Sequence, residues 1–494
     1  MAQPRSREVP AFDRRLFDSG HSITRIGGGS LGGKAANLCR VQDEILEGLD
    51  GDALQGFDIA VPRMTVIATD VFDSFMAHNA LYPLASSEES DERIAHAFQR
   101  AELPAVFLGD LRALASHATA PLAVRSSSML EDALEHPFAG VYATKMIPNN
   151  QTEPDARFRK LVEAIKFVYA STFFGGARSY ARSAGQDIRR EKMAVIVQEI
   201  AGSRRGERFY PVLSGVARSY NYYPTGRARA DQGVVSLVLG LGKTIVDGGL
   251  SWSYSPTHPR KPPPFGSVRD LLRNTQTRFW AVHMGRPPLP DPTRETEYMR
   301  HLGLSEAEYD DTLRFVASTY SARADRLVPG VGVDGPRALD FSPVLSFREP
   351  PLNDLLKVLM ARSEEILGEA VELEFAVDMF PKRGQPARFA FLQVRPMTIS
   401  DESITVTAAE MSSDDLLLAS GNVLGNGSRA DIRDVVYLPP ETFDAARTRD
   451  MAEELRDINA ELSRQGRPYL LLGFGRWGSA DPWLGVPVGW GDIS

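Results

Sequence analysis

A single cysteine, Cys39, stands among the 494 residues, which excludes an internal disulfide and any cysteine-built metal cluster. Its place in the apolar run AANLCRV predicts a buried small side chain without a chemical role. No apolar run approaches the roughly 20 residues a membrane helix needs, and the opening MAQPRSREVP has no apolar stretch after its charges, so neither a spanning segment nor a signal peptide is expected and a cytoplasmic location follows. Positive charge is not in excess: 56 Lys and Arg face 64 Asp and Glu, a net charge of -8 that offers no basic footprint for nucleic acid. None of the eight histidines has metal-ligand spacing, His117 and His136 near candidate loops read as structural, and no GxSxG elbow occurs. Zinc and serine-hydrolase chemistry therefore lack support. There is no fixed-period repeat, and PRKPPPFG at 259–266 is a stiff loop rather than a disordered linker.

What is present is a chain too long for one core, so two or three domains are expected. ITRIGGGSLGGKAANLCRV predicts a strand, a glycine loop and a helix entering near Lys34, and VPRMTVIATDVFDSFM predicts a strand followed by a helix capped by Asp70. LAVRSSSMLED reads as a short strand ending at Arg125 in a polar loop. Phe158, Leu161, Ile165, Val168 and Thr172 recur at helical spacing, and Met193–Ile200 is a buried strand leading between lobes. Strands dominate from 234 to 396, and after residue 400 comes a helix with Met451, Leu455, Ile458 and Leu462 as its apolar stripe. The expected class is α+β, with lobes at 1–195 and 196–400 and a C-terminal α/β unit at 401–494.

The residues that could carry chemistry begin with VELEFAVDMF and RFAFLQVRP. Side chains two apart on a strand share a face, so Glu372 and Glu374 point the same way. Pro381, Gly384 and Pro386 can turn the chain back and lay Gln393 and Arg395 on the neighbouring strand. Two carboxylates, an amide and a guanidinium suit Mg²⁺ and a phosphate chain, although a solvated face with a surface ion pair would show the same pattern. The glycine loop from Gly27 to Gly33, with Lys34, can bring backbone N–H groups close to phosphates, or can be only a turn. It is not a Walker A loop, because Ala35 stands where Ser or Thr must hold the metal. Arg125, followed by Ser126, Ser127, Ser128, Glu131 and Asp132, suits a polar loop closing over phosphates or, alternatively, a capped helix start. Gly240, Gly242 and Lys243 form a further loop after a strand, for phosphate, ribose or simply a turn.

In order, GGKAANL, VPRMTVIATDVF, LAVRSSSMLED, FAGVY, IKFVYASTFF, MAVIVQEI, VVSLVLGLG, ELEF and FLQVRP resemble the nucleotide-binding domain of phosphoenolpyruvate synthase and pyruvate phosphate dikinase, over about residues 22–400. The resemblance implies an ATP-grasp-like fold with ATP between two lobes, its phosphates at Gly33, Lys34 and Arg125 and its adenine against Gln198, Glu199 and Ile200. It implies Mg²⁺ at Glu372 and Glu374, with Gln393 and Arg395 completing the phosphate end, and Lys34, Arg125 and Arg395 as the catalytic cations. Glu372 departs from the family's frequent Asp. In that family the phosphate passes to a histidine in a Thr-Ser-His motif and on to pyruvate in a barrel. No Thr-Ser-His occurs here and 401–494 is too short for a barrel of about 250 residues, so the acceptor is expected on another domain or a partner protein. A non-catalytic ATP sensor and a small-molecule kinase are the rival expectations. The tail GFGRWGSADPWLGVPVGW resembles a segment of longer proteins that normally continues, as a truncated chain would show; Arg476, Trp477, Asp481 and Trp483 read as a packed corner ahead of a binding surface.

Overall fold

The computed structural model describes residues 9–13, 22–46, 49, 56–85, 87–128, 140–183, 185–222, 224, 228–261, 267–347, 350–379, 385–397, 406, 410–413, 415–419, 428–474, 476–478, 485–489 and 492–493. Two units divide the chain: residues 1–83, 95–171 and 191–399 form the larger, and 84–94, 172–190 and 400–494 the smaller. The fold is mixed α and β with several mixed sheets, in keeping with the expected α+β class.

In chain order the strands of the larger unit are β1 (Ile23–Ile26), β2 (Phe57–Ala60), β3 (Met64–Ile67), β4 (Leu122–Ser128), β5 (Thr144–Ile147), β6 (Met193–Glu199), β7 (Ser203–Arg205), β8 (Arg208–Tyr210), β9 (Leu213–Arg218), β10 (Val234–Leu239), β11 (Trp252–Tyr254), β12 (Arg278–His283), β13 (Met299–Gly303), β14 (Ser318–Ser321), β15 (Arg326–Pro329), β16 (Arg337–Ala338), β17 (Val371–Asp378) and β18 (Ala387–Pro396). Three sheets matter for the site. The first has order β1-β3-β6-β4-β5, the second β11-β10-β9-β17-β18-β2, and the third β13-β12-β8-β7. Strand β6, MAVIVQE, is buried from Met193 to Gln198, which accounts for its apolar run: both of its faces are covered.

Helix α1 (Gly32–Arg40) follows the glycine loop and α2 (Thr69–His78) follows β3. Helix α3 (Pro154–Ser171) starts on a proline, whose missing N–H costs nothing there, and buries Leu161, Ala164, Ile165 and Val168 at helical spacing. Thr172, expected on that stripe, lies just past its end. Helix α4 (Leu352–Leu367) buries Leu352, Leu355, Leu356 and Leu359 and stops at Gly368, which takes the left-handed conformation at φ 76°. Each such leucine contributes about 1.5–3 kcal/mol of burial. Behind β17 and β18, Phe375 and Phe389 stack at 5.2 Å and Phe57 meets Phe389 edge-on at 6.3 Å, fixing the strand pair that carries the candidate chemistry.

In the smaller unit, β19 (Asp434–Tyr437) and β20 (Tyr469–Leu472) pair in parallel, joined through helix α5 (Thr448–Arg464). The buried face of α5 is Thr448, Ala452, Leu455 and Asn459; Leu455 alone of the four expected stripe residues belongs to it, and Ile458 is exposed. Val486 and Val488 complete this small core, with Trp477 packed against it as a structural corner. Asp481, Trp483 and the side chain of Arg476 lie outside what is described.

Candidate functional site

Strands β17 and β18 pair antiparallel with Glu372 opposite Arg395 and Glu374 opposite Gln393. The register then shifts between Glu374 and Phe375, where Phe375 faces Phe391, so Leu392 is the extra residue of a bulge. Its carbonyl, released from the ladder, accepts from Arg125 Nη1 at 3.0 Å. Arg125 also donates from Nη2 to Glu374 at 3.1 Å and to Gln393 Oε1 at 2.9 Å, and its Nη1 lies 3.4 Å from Gln198 Oε1. One guanidinium from the first sheet thus gathers Gln198 from β6 and Glu374, Leu392 and Gln393 from the second.

A second cluster lies one step along the same face. Glu372 is paired on one side with Arg218 of β9 and on the other with Arg395 of β18. Its carboxylate accepts from Arg395 Nε at 2.8 Å and Arg218 Nε at 2.5 Å. Burial alone would raise the pKa of Glu372, but Arg395 and Arg218 together outweigh it and hold the carboxyl below its ordinary range.

Lys34, buried on the first turn of α1, and Gly33 before it stand at the helix N-terminus, where backbone N–H groups have no intrahelical acceptor. Helix α1 is seated by Ser127, whose hydroxyl donates to the Leu31 carbonyl at 2.9 Å and accepts from Ala35 N at 3.1 Å. A side chain at Gly32 would put its Cβ 1.7 Å from the Ser127 carbonyl oxygen, so only glycine fits.

Several local expectations are corrected by these contacts. Ser126, Ser127 and Ser128 are buried within β4 rather than in a polar loop or helix cap, because their strand continues past Arg125 against β6. Asp70 does not cap its own helix: its two carboxylate oxygens accept from Gly28 N at 2.9 Å and Gly29 N at 3.0 Å, while Thr69 Oγ1 accepts from Ser30 N. The N–H groups of Gly28, Gly29 and Ser30 are thereby engaged within the protein, and that of Gly32 donates to Ser30 Oγ at 3.2 Å. Glu131, Asp132, His136, Pro381 and Gly384 lie outside the described residues. His117 holds the Ala113 carbonyl of its own helix, and Cys39 is half-buried.

At the expected adenine strand, Glu199 N donates to the Arg63 carbonyl and Ile200 N to the Pro121 carbonyl, both at 2.9 Å. Burial raises Glu199 above its usual range, with Arg63 opposing. Ile200 and Leu241 share an apolar cluster with Val282 and Met284, which brings Gly240 and Gly242 to the same neighbourhood as the end of β6. Gly240, at φ 78°, sits against the Trp280 carbonyl, and Lys243 pairs with Asp247 at 2.9 Å.

Arg218, Asp70 and the Leu392 carbonyl were not anticipated. A signal for Arg218 exists, since LSGVARS repeats the strand-then-Arg-Ser outline of LAVRS. Gln198 Nε2 is buried and has no hydrogen-bond partner among the described residues, an unmet donor that a bound polar group would satisfy. Among those residues no group of three or more His, Cys, Asp and Glu could hold a metal alone, and no helix is long and apolar enough to cross a membrane.

Residues 29–415 match the family described as the pyruvate phosphate dikinase AMP/ATP-binding domain. The chain belongs to this family. It is also similar to a phosphoenolpyruvate synthase of Aeropyrum pernix, 32% identical over 130 residues that make up 26% of this chain and 14% of that protein.

Proposed function

We propose that the chain is the nucleotide-binding part of an ATP-dependent phosphotransferase of the phosphoenolpyruvate synthase and pyruvate phosphate dikinase type, with residues 1–195 and 196–400 as the two lobes of an ATP-grasp-like site and 401–494 as a C-terminal unit. The observation that carries this reading is the convergence on Arg125 of Gln198, Glu374, Leu392 and Gln393, from strands far apart in sequence. Lys34, Arg125 and Arg395 are the cations that grip and polarise the phosphates, with Gly33 N–H beside them and Gln393 completing the phosphate end. Gln198, Glu199 and Ile200 line the adenine side through side chains and apolar contact, because the backbone donors of the last two are engaged; Gly240 and Gly242 approach the nucleotide from the adjoining loop.

The donor set fits Mg²⁺, which asks for one or two carboxylates and completes its shell with phosphate oxygens and water. Glu374, its side chain 29% exposed, is the residue that would hold it, whereas Glu372, expected beside it, has both carboxylate oxygens taken by Arg395 and Arg218. The ion would supply charge neutralisation at the transferring phosphoryl group. The residues present bind and orient the phosphate chain; the acceptor lies on another domain or on a partner.

The test is to incubate the chain with Mg²⁺ and ATP labelled separately at the β- and γ-phosphates and to follow AMP, ADP and protein-bound label. Formation of AMP with phosphate release supports dikinase chemistry, and ADP alone supports a simple kinase. Loss of turnover in Glu374→Gln with ADP binding retained supports the assigned role of Glu374. Tight ATP binding without turnover, even when candidate acceptor proteins are supplied, would refute catalysis in favour of a sensor.

A further inference from the structure

The second cluster holds more positive charge than its carboxylate uses. Glu372 is flanked on the two neighbouring strands by Arg218 and Arg395, in direct register, and both guanidiniums close on one carboxylate. One cation would neutralise Glu372. The second is surplus, and with Arg125 three guanidiniums gather on Glu372 and Glu374. Arg218 meets Glu372 through Nε; among the described residues its two terminal nitrogens donate to nothing else, and its side chain is 36% exposed. Arginine has five donors in a rigid plane, so a guanidinium anchored at Nε presents its outer fork in a fixed direction.

Resting on the nucleotide reading above, we propose that Arg218 is a further phosphate-gripping residue, oriented by Glu372 so that its free fork takes the terminal phosphates of ATP. Its position along the strands supports the terminal end. The Arg125 cluster, which touches Gln198 on the expected adenine side, is centred on Glu374, and Glu372 with Arg218 lies two residues further on, about 7 Å away along the strand. A phosphate chain running outward from Gln198 meets Arg125 first and Arg218 after it. Glu372 then has a positioning role toward both guanidiniums of its own row.

The test uses the full chain and isothermal titration with ATP, AMP and inorganic tripolyphosphate, each with and without Mg²⁺, for the wild type, Arg218→Gln and Arg218→Lys. In Arg218→Gln the affinities for ATP and tripolyphosphate are expected to fall about 10- to 100-fold, the scale of charge-assisted hydrogen bonds, while AMP affinity stays within about twofold. Arg218→Lys, which keeps the charge and loses the fork, is expected between the two. Unchanged ATP affinity in Arg218→Gln overturns the proposal, as does an equal loss for AMP and ATP, which marks a merely structural role. If Arg218→Gln does not fold, Arg218→Lys decides, and wild-type ATP affinity there overturns it. A wild-type chain that binds neither ATP nor AMP defeats the nucleotide reading itself, an outcome distinct from all of these.

Discussion

Replacing Arg125 by methionine removes a side chain that joins the first sheet to the strand pair β17 and β18 through polar contacts. The cost can be worked from its partners. Nη1 donates to the Leu392 carbonyl at 3.0 Å and Nη2 to Gln393 Oε1 at 2.9 Å, while the 3.4 Å contact to Gln198 is weak. Gln393 and Gln198 are 5% and 1% exposed, so water cannot take the lost donor's place. At about 1–1.5 kcal/mol for each of the two good bonds, the change costs about 2–3 kcal/mol. The ion pair to Glu374 adds less than about 1 kcal/mol, because that carboxylate's side chain is 29% exposed and regains water. A guanidinium titration of wild type and Arg125→Met, followed on the transition of the larger unit, measures this directly. A double-mutant cycle with Gln393→Met should give a coupling of about 1 kcal/mol, since the two side chains are in contact. A midpoint shift equivalent to less than about 0.5 kcal/mol, or a coupling of zero, would refute the claim that Arg125 organises the site.

Three further outcomes follow from other residues. Burial, and then Asp43, pushes the Cys39 thiol up to about 11. At pH 8 its thiolate fraction is then about 0.001 against about 0.24 for an ordinary thiol, so a disulfide reagent should react at least 100-fold more slowly with the folded chain than with the chain in guanidinium; equal rates would contradict the burial. Lys145, 1% exposed, is paired with Glu297 at 2.8 Å and donates to the carbonyls of Pro292 and Arg294 at 2.9 Å, so Lys145→Met should destabilise by about 3–5 kcal/mol, and Glu297→Gln added to it should recover part of the loss. Glu372 has its folded value lowered, which means its contribution to stability is complete above the unfolded value, near 4.3, and is lost as pH falls through the folded one. Glu372→Gln should therefore flatten the acid limb of a stability-against-pH curve below about pH 4.5, and an unchanged limb would show that its arginine pairs are absent in solution.

The parts of the fold that could be read in advance are those set by local pattern. The β17 and β18 pair was predictable because alternation puts Glu372 and Glu374 on one face and turn-forming residue types stand between the two runs, and the register brings Gln393 and Arg395 opposite them. Helix α3 was readable from Leu161, Ile165 and Val168, because a period of 3.6 and a buried face say the same thing. Helix α5 was less so. Its polar Thr448 and Asn459 face inward, and Asn459 accepts from the Tyr469 hydroxyl at 2.9 Å, a partner that a hydrophobic pattern cannot reveal.

What stayed hidden in the site has one physical form: a polar group whose partner lies far along the chain. Three consecutive serines after Arg125 look like a loop because serine favours turns, yet Ser127 is buried since it bonds the start of α1, 92 residues earlier at Ala35. The glycine loop looks like a phosphate cradle until Asp70, 42 residues beyond Gly28, is seen to occupy the donors of Gly28 and Gly29. A carboxylate in that place does for the loop what a phosphate does in a nucleotide cradle, holding consecutive N–H groups around an anion. The N–H groups of Gly28, Gly29 and Ser30 are thus already engaged, and in the proposed reading an external anion is left to Gly33, Lys34 and the guanidiniums of Arg125, Arg395 and Arg218. That division makes a distinguishing expectation: Asp70→Asn should act on nucleotide affinity only through the order of α1, whereas a change at Arg125 should act on it through direct contact.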